Sequence, residues 1–124
     1  MTLLEQCQRW NKNDEFQKII DALEKIPAEE RTPEEDSELA RAYNNLAQPG
    51  EKELFQKAIA LLEPHEEYFA GDHSWNFRMG YAYYYLDQEG PALRYLNRRW
   101  QHVQGMRTRR SLSKTAAAVW FCPV

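Results

Sequence analysis

Three times along this chain a small residue is followed, three positions later, by an aromatic one: Cys7 and Trp10, Ala40 and Tyr43, Gly80 and Tyr83. Between them runs a second recurring pair, Ile19 and Leu23, Ala58 and Leu62, Ala92 and Leu96. The first series advances by 33 and then 40 residues, the second by 39 and then 34. One insertion of about six residues around Gln48-Pro49-Gly50 accounts for both irregularities. Crossing geometry gives the pattern its physical sense. A small residue lets the two helices of a hairpin approach closely, and an aromatic ring one turn later fills the wedge that opens beyond it. Units repeated at such a period cannot bury their apolar faces alone and must stack.

Each series falls on a helical stripe. Leu3, Leu4, Cys7 and Trp10 recur at helical spacing, Asn13-Asp14 interrupts, and Phe16, Ile19, Ile20, Leu23 and Ile26 resume, so a helical hairpin is expected. Pro27 closes its second helix. Thr32-Pro33-Glu34-Glu35 reads as a new start, with a capping hydroxyl, proline in the first turn and carboxylates at the positive end of the dipole. That third helix runs to about Ala47 with Leu39, Ala40, Tyr43 and Leu46 inward, until Gln48-Pro49-Gly50 breaks it. Leu54, Phe55, Ala58, Ile59, Leu61 and Leu62 mark a fourth helix ending near Pro64. Gly71-Asp72 supplies a turn and N-cap for a fifth, holding Trp75, Met79, Gly80, Ala82, Tyr83 and Leu86. Pro91 opens a sixth, where Ala92, Leu93, Leu96, Trp100 and Val103 recur.

Composition agrees with helix. Among the 124 residues, 25 are Ala or Leu and only 11 are Val, Ile or Thr, which disfavours a sandwich or barrel. No apolar run approaches the ~20 residues of a membrane span. Met1-Thr2-Leu3-Leu4-Glu5 lacks the basic flank and apolar run of a secretory or transit signal, so a soluble, cytoplasmic protein is expected. Cys7 and Cys122 make no disulfide framework, and both are expected to be reduced. The net charge of −3 hides an asymmetry: residues 1–73 carry 17 acids and 8 bases, residues 74–124 carry 2 and 8. Such a bipolar chain can dock on itself or offer its basic end to an acidic partner.

On these residues the chain resembles a tetratricopeptide-repeat (TPR) protein of the small bacterial type. The third unit carries the likeness best, through Trp75, Met79-Gly80, Tyr83, Ala92 and Leu96, with Pro91 opening its second helix. The second matches through Leu39-Ala40, Tyr43, Ala58-Ile59 and Leu62. The first departs from the pattern, with Cys7 and Trp10 where a small residue and a tyrosine are usual. The likeness covers roughly residues 2–103, and Arg99 stands where a small residue is usual. It implies an all-α, right-handed superhelix of about three hairpins over residues 1–104, followed by a C-terminal tail, 105–124.

The resemblance also implies that the first helix of each pair lines a concave groove that takes an extended or helical peptide. Carried over residue by residue, the outward positions are Leu4, Gln8, Asn11 and Lys12, then Ser37, Arg41, Asn44 and Asn45, then Phe77, Tyr81, Tyr84 and Tyr85. A polar strip thus abuts an aromatic one. Asparagine both donates to and accepts from a peptide backbone, and tyrosine buries a large area at little rotamer cost. The candidate groove residues are Gln8, Arg41, Asn44, Asn45, Phe77, Arg78, Tyr81 and Tyr84. The clamp by which some family members hold the acidic end of heat-shock chaperones is disfavoured, because its places carry Leu4, Gln8, Glu38, Ser74 and Arg78.

Catalytic chemistry is not expected. His65, His73 and His102 form no metal-ligand pattern, and His65-Glu66-Glu67 with Asp72-His73 reads as a solvated acidic loop. Glycines stand singly, no serine lies in a nucleophile elbow, and Glu34-Glu35-Asp36 is explained by the helix dipole. No cofactor or metal is called for. The tail is basic from Arg107 to Lys114 and apolar from Thr115 onward, without an acid. It reads as a cap over the last pair, a hook into a second copy, or an atypical terminus. The expected function is a non-enzymatic module that binds a protein or peptide of unknown identity. Two alternatives stand beside it. One is a nucleic-acid or acidic-surface binder using Arg94, Arg98, Arg99, Arg107, Arg109, Arg110 and Lys114, with Trp100 to stack, against which a pI of 5.6 counts. The other is a structural homo-oligomer.

Overall fold

The computed structural model describes residues 2–104, with side chains as far as 98, so expectations for the tail lie outside the described residues. All regular secondary structure among them is helical. Six α-helices follow one another: α1 (Leu3–Lys12), α2 (Phe16–Glu24), α3 (Pro33–Leu46), α4 (Lys52–Leu62), α5 (His73–Tyr85) and α6 (Glu89–Gln104). Short 3-10 turns at Ala28–Glu30 and Glu63–His65 sit in the two longer links. No helix among the described residues is long and apolar enough to cross a membrane.

Local chemistry sets the boundaries. Thr2 and Thr32 each head a capping box: the hydroxyl accepts from the third backbone N–H, 3.1 Å away, and that residue's carboxylate, Glu5 or Glu35, accepts from the threonine N–H. Asp72 caps α5 by accepting from the Ser74 N–H at 2.9 Å. The turns after α1 and α5 are the same motif. Asp14 (φ 60) and Asp87 (φ 63) are left-handed, and the next N–H donates to the Trp10 carbonyl at 2.8 Å or the Tyr83 carbonyl at 3.0 Å. In the second unit the left-handed residue is Gly50 (φ 101), seven positions after Tyr43 instead of four. The inserted residues lie at Gln48-Pro49-Gly50, where the repeat spacing puts them.

Each helix packs on the next, and the leading helices pack in sequence as well, α1 on α3 and α3 on α5. The small residues sit at the crossings. Cys7, Ala40, Ala58 and Ala92 are fully buried, and a Cβ added to Gly80 would lie 2.8 Å from the Leu96 side chain and 3.2 Å from the Ala92 carbonyl. The aromatic partner packs within its own hairpin in the third unit and reaches the preceding hairpin in the second. Tyr83 stacks on Tyr95 of α6, with 5.8 Å between ring centres, and the Tyr43 hydroxyl donates to Glu24 at the end of α2. Around them Ile19, Leu23, Leu39, Phe55, Leu62, Trp75, Met79 and Leu96 form the core. The Trp75 indole N–H donates to the Leu62 carbonyl at 3.0 Å, tying α5 to the end of α4.

Candidate functional site

Where α1, α3 and α5 lie together, their polar residues close on Glu38. This carboxylate is 8% exposed and takes two guanidiniums: Arg41 one turn along α3, and Arg78 of α5 at 3.5 Å. Gln8 of α1 completes the group, donating to Glu38 at 3.4 Å and accepting from Arg41 at 3.1 Å. Arg78 also donates to the Ser37 hydroxyl at 2.6 Å and the Ser37 carbonyl at 3.3 Å. Burial pulls the Arg78 guanidinium below its ordinary range, Glu38 opposes that pull, and the neighbouring Arg41 charge adds to it. Two cations on one acid leave the seam with one positive charge. Beneath it the thiol of Cys7 is pushed up to about 11, first by desolvation and then by the charge of Glu38.

The candidate residues therefore divide. Gln8, Arg41 and Arg78 meet in this seam. Asn45 is exposed beside them, its amide donating to Asn11 Oδ1 at 3.2 Å, which makes a second rung between α3 and α1. Asn44 is not on the open face. It is 3% exposed, and its amide donates to the Arg78 carbonyl at 3.2 Å. Ser37, another expected outward residue, is 4% exposed. The reason is helix docking: α5 lies against α3 along this edge, so Ser37 and Asn44 serve the joint between units. Glu38 is the residue that sequence reasoning undervalued, naming it only among the places that do not fit a chaperone clamp. Its one local signal is the spacing of three to Arg41; Gln8 and Arg78 lie 30 and 40 residues away.

The aromatic residues form a row along α5. Phe77 and Tyr81 have ring centres 5.9 Å apart, Tyr81 and Tyr85 5.0 Å, and Tyr84 meets Tyr85 edge-on at 5.2 Å. The row rests on buried Phe55 of α4, which stacks on Tyr85 at 5.3 Å and lies 6.2 Å from Tyr81. Desolvation raises the Tyr81 phenol above its ordinary range. The preceding unit thus covers part of Tyr81 and Tyr85, and both stay half-buried along with Phe77 and Tyr84.

Outside the seam, His65, Asp36 and Arg31 form a second polar group. His65 bonds the Asp36 carboxylate at 2.8 Å, whose other oxygen takes Arg31 at 2.7 Å. Arg31 also reaches the Ile26 carbonyl at 2.8 Å, closing the region after α2. His65 therefore belongs to a joint rather than to a solvated acidic loop. Among the described residues no three His, Cys, Asp or Glu side chains come together as metal ligands. Arg94 and Arg98 lie over the Tyr95 ring, 5.1 and 5.0 Å from its centre, and Arg98 also faces Glu66. No protein-family model, curated protein or solved structure matches this chain.

Proposed function

We propose that the chain is a TPR-like right-handed solenoid of three hairpins, working in the cytoplasm as a non-enzymatic module that holds a peptide segment of another protein. The ligand lies across the leading helices, with Gln8, Arg41 and Asn45 meeting its backbone and polar groups and Tyr81 anchoring an apolar side chain. The observation that carries this reading is the alignment of α1, α3 and α5 through one continuous polar seam that ends in an aromatic row. Arg78 and Asn44 are buried between α3 and α5 and hold that surface together. A peptide library displayed on phage and panned against the whole chain tests the proposal. Enriched sequences should bind with micromolar affinity. Arg41→Ala and Tyr81→Ala should each weaken them at least tenfold while the helical circular dichroism stays unchanged. Failure to enrich any sequence, or binding indifferent to both substitutions, would overturn the reading.

A further inference from the structure

Three of the groove residues stand on one repeat position. Gln8 follows Cys7, Arg41 follows Ala40 and Tyr81 follows Gly80, each one residue past the small side chain that marks its helix crossing. Since α1 packs on α3 and α3 on α5, the three form a ladder that advances one leading helix per rung. The first two rungs touch, Arg41 donating to Gln8 at 3.1 Å. Axes of helices in contact lie ~8–10 Å apart, so the ladder rises by that much at each step. A ligand that meets all three rungs must return side chains to one face at the same interval.

Peptide geometry selects among the conformations. A β-extended segment advances ~10 Å in three residues but turns its i and i+3 side chains to opposite faces. An α-helical segment has paired its own backbone groups and offers nothing to the amides of Gln8, Asn11 and Asn45. A polyproline II segment has three residues per turn and rises ~3.1 Å per residue, which returns side chains to one face every ~9 Å. Its backbone makes no internal hydrogen bonds, so its carbonyls stay open to donors. The polar strip supplies them: Arg41 gives Nη2 to Gln8 and Glu38, and its Nε has no acceptor. The aromatic row suits the same ligand, because proline-rich segments dock on aromatic-lined grooves. Tyr81 is held in place there between Phe77 and Tyr85, over buried Phe55. We propose, resting on the peptide-binding reading above, that the ligand is a proline-rich segment in the polyproline II conformation. It sets an acidic side chain against Arg41 and an aromatic one, three residues away, on Tyr81. The acid answers the one positive charge that Glu38 leaves uncompensated between Arg41 and Arg78.

Synthetic peptides tested on the whole chain by fluorescence anisotropy decide it. Two carry a glutamate and a phenylalanine three residues apart in a decaproline background, one for each chain direction. A third sets the pair two residues apart, and a fourth keeps the spacing of three in a Gly-Ser background. One of the first two should bind at least tenfold more tightly than the third and the fourth. Arg41→Ala should abolish its preference for glutamate over glutamine, and Tyr81→Ala its preference for phenylalanine over alanine. In case either variant fails to fold, the glutamine and alanine peptides read both contacts on the unmodified chain, each expected to bind at least fivefold more weakly. Equal binding at spacings of two and three, or equal binding in the Gly-Ser background, would overturn the proposal. If panning of the phage library still enriches sequences that depend on Arg41 and Tyr81, the peptide-binding module stands and the polyproline II ligand alone falls. If no peptide binds from either source, both fall.

Discussion

Glu38 faces two guanidiniums from a nearly dry position, so its removal costs more than a surface ion pair would. Glu38→Gln keeps the shape and deletes the charge, leaving Arg41 and Arg78 side by side. Urea unfolding should show a loss of about 3 kcal/mol, the range for breaking a buried pair from one side. Cys7 gives a second prediction at this scale. Its thiol is raised from an ordinary 9.0 to about 11, so the native form is the neutral one. The stability this lends is full below pH 9 and declines between pH 9 and 11, because there the unfolded chain alone gives up the proton. At pH 8 iodoacetamide should alkylate Cys7 at least about a hundredfold more slowly in the native chain than in urea, read at that residue by mass spectrometry. The small-and-aromatic pairs were legible residue by residue because each is local, three positions apart. Of the partners of Glu38 only Arg41 is local in this way; Gln8 and Arg78 arrive from other helices, and no pattern within a window of one helix encodes them.

At the scale of the element, legibility followed the chemistry of the ends. Thr32-Pro33 and Gly71-Asp72 announced α3 and α5 because capping residues act on backbone groups within a turn. The 3-10 turns at Ala28–Glu30 and Glu63–His65 carry only a proline at their start, Pro27 and Pro64, which marks the end of a helix without specifying the turn that follows. Thr32→Ala removes the acceptor for the Glu35 N–H and should cost about 1 kcal/mol, seen as a lower melting temperature with unchanged helix content. The left-handed turn after α5 gives a change of opposite sign. Asp87 holds φ 63 and is exposed, and its ion pair with Lys52 is long at 3.8 Å. Asp87→Gly relieves the crowding of a Cβ in that conformation and should stabilise by roughly 0.5 kcal/mol. A melting temperature that falls instead would mean that the aspartate side chain contributes more to the turn than its backbone strain removes.

Over the whole molecule, the question is whether stability is shared evenly or passed from unit to unit. Charge asymmetry and composition say nothing on this; the repeat spacing predicts stacked units. Specific side chains join the hairpins. The first hairpin is held to α3 by Arg31, which links the Asp36 carboxylate to the carbonyls of Leu23 and Ile26, and by the rungs from Gln8 and Asn11. The third is held by Trp75 on Leu62 and Arg78 on Ser37. Stacked units that touch only their neighbours unfold with local free energies, so a broken joint weakens one end first. Arg31→Ala leaves the α2 carbonyls without their donor and Asp36 without its guanidinium. Amide exchange in α1 and α2 should then accelerate at least tenfold, while α5 and α6 stay within twofold of the unmodified chain. A closed bundle shares one core among all its helices and would answer the same substitution with an equal acceleration everywhere. That uniform result would remove the basis for a groove along the leading helices, because a peptide needs a face the other helices do not enclose.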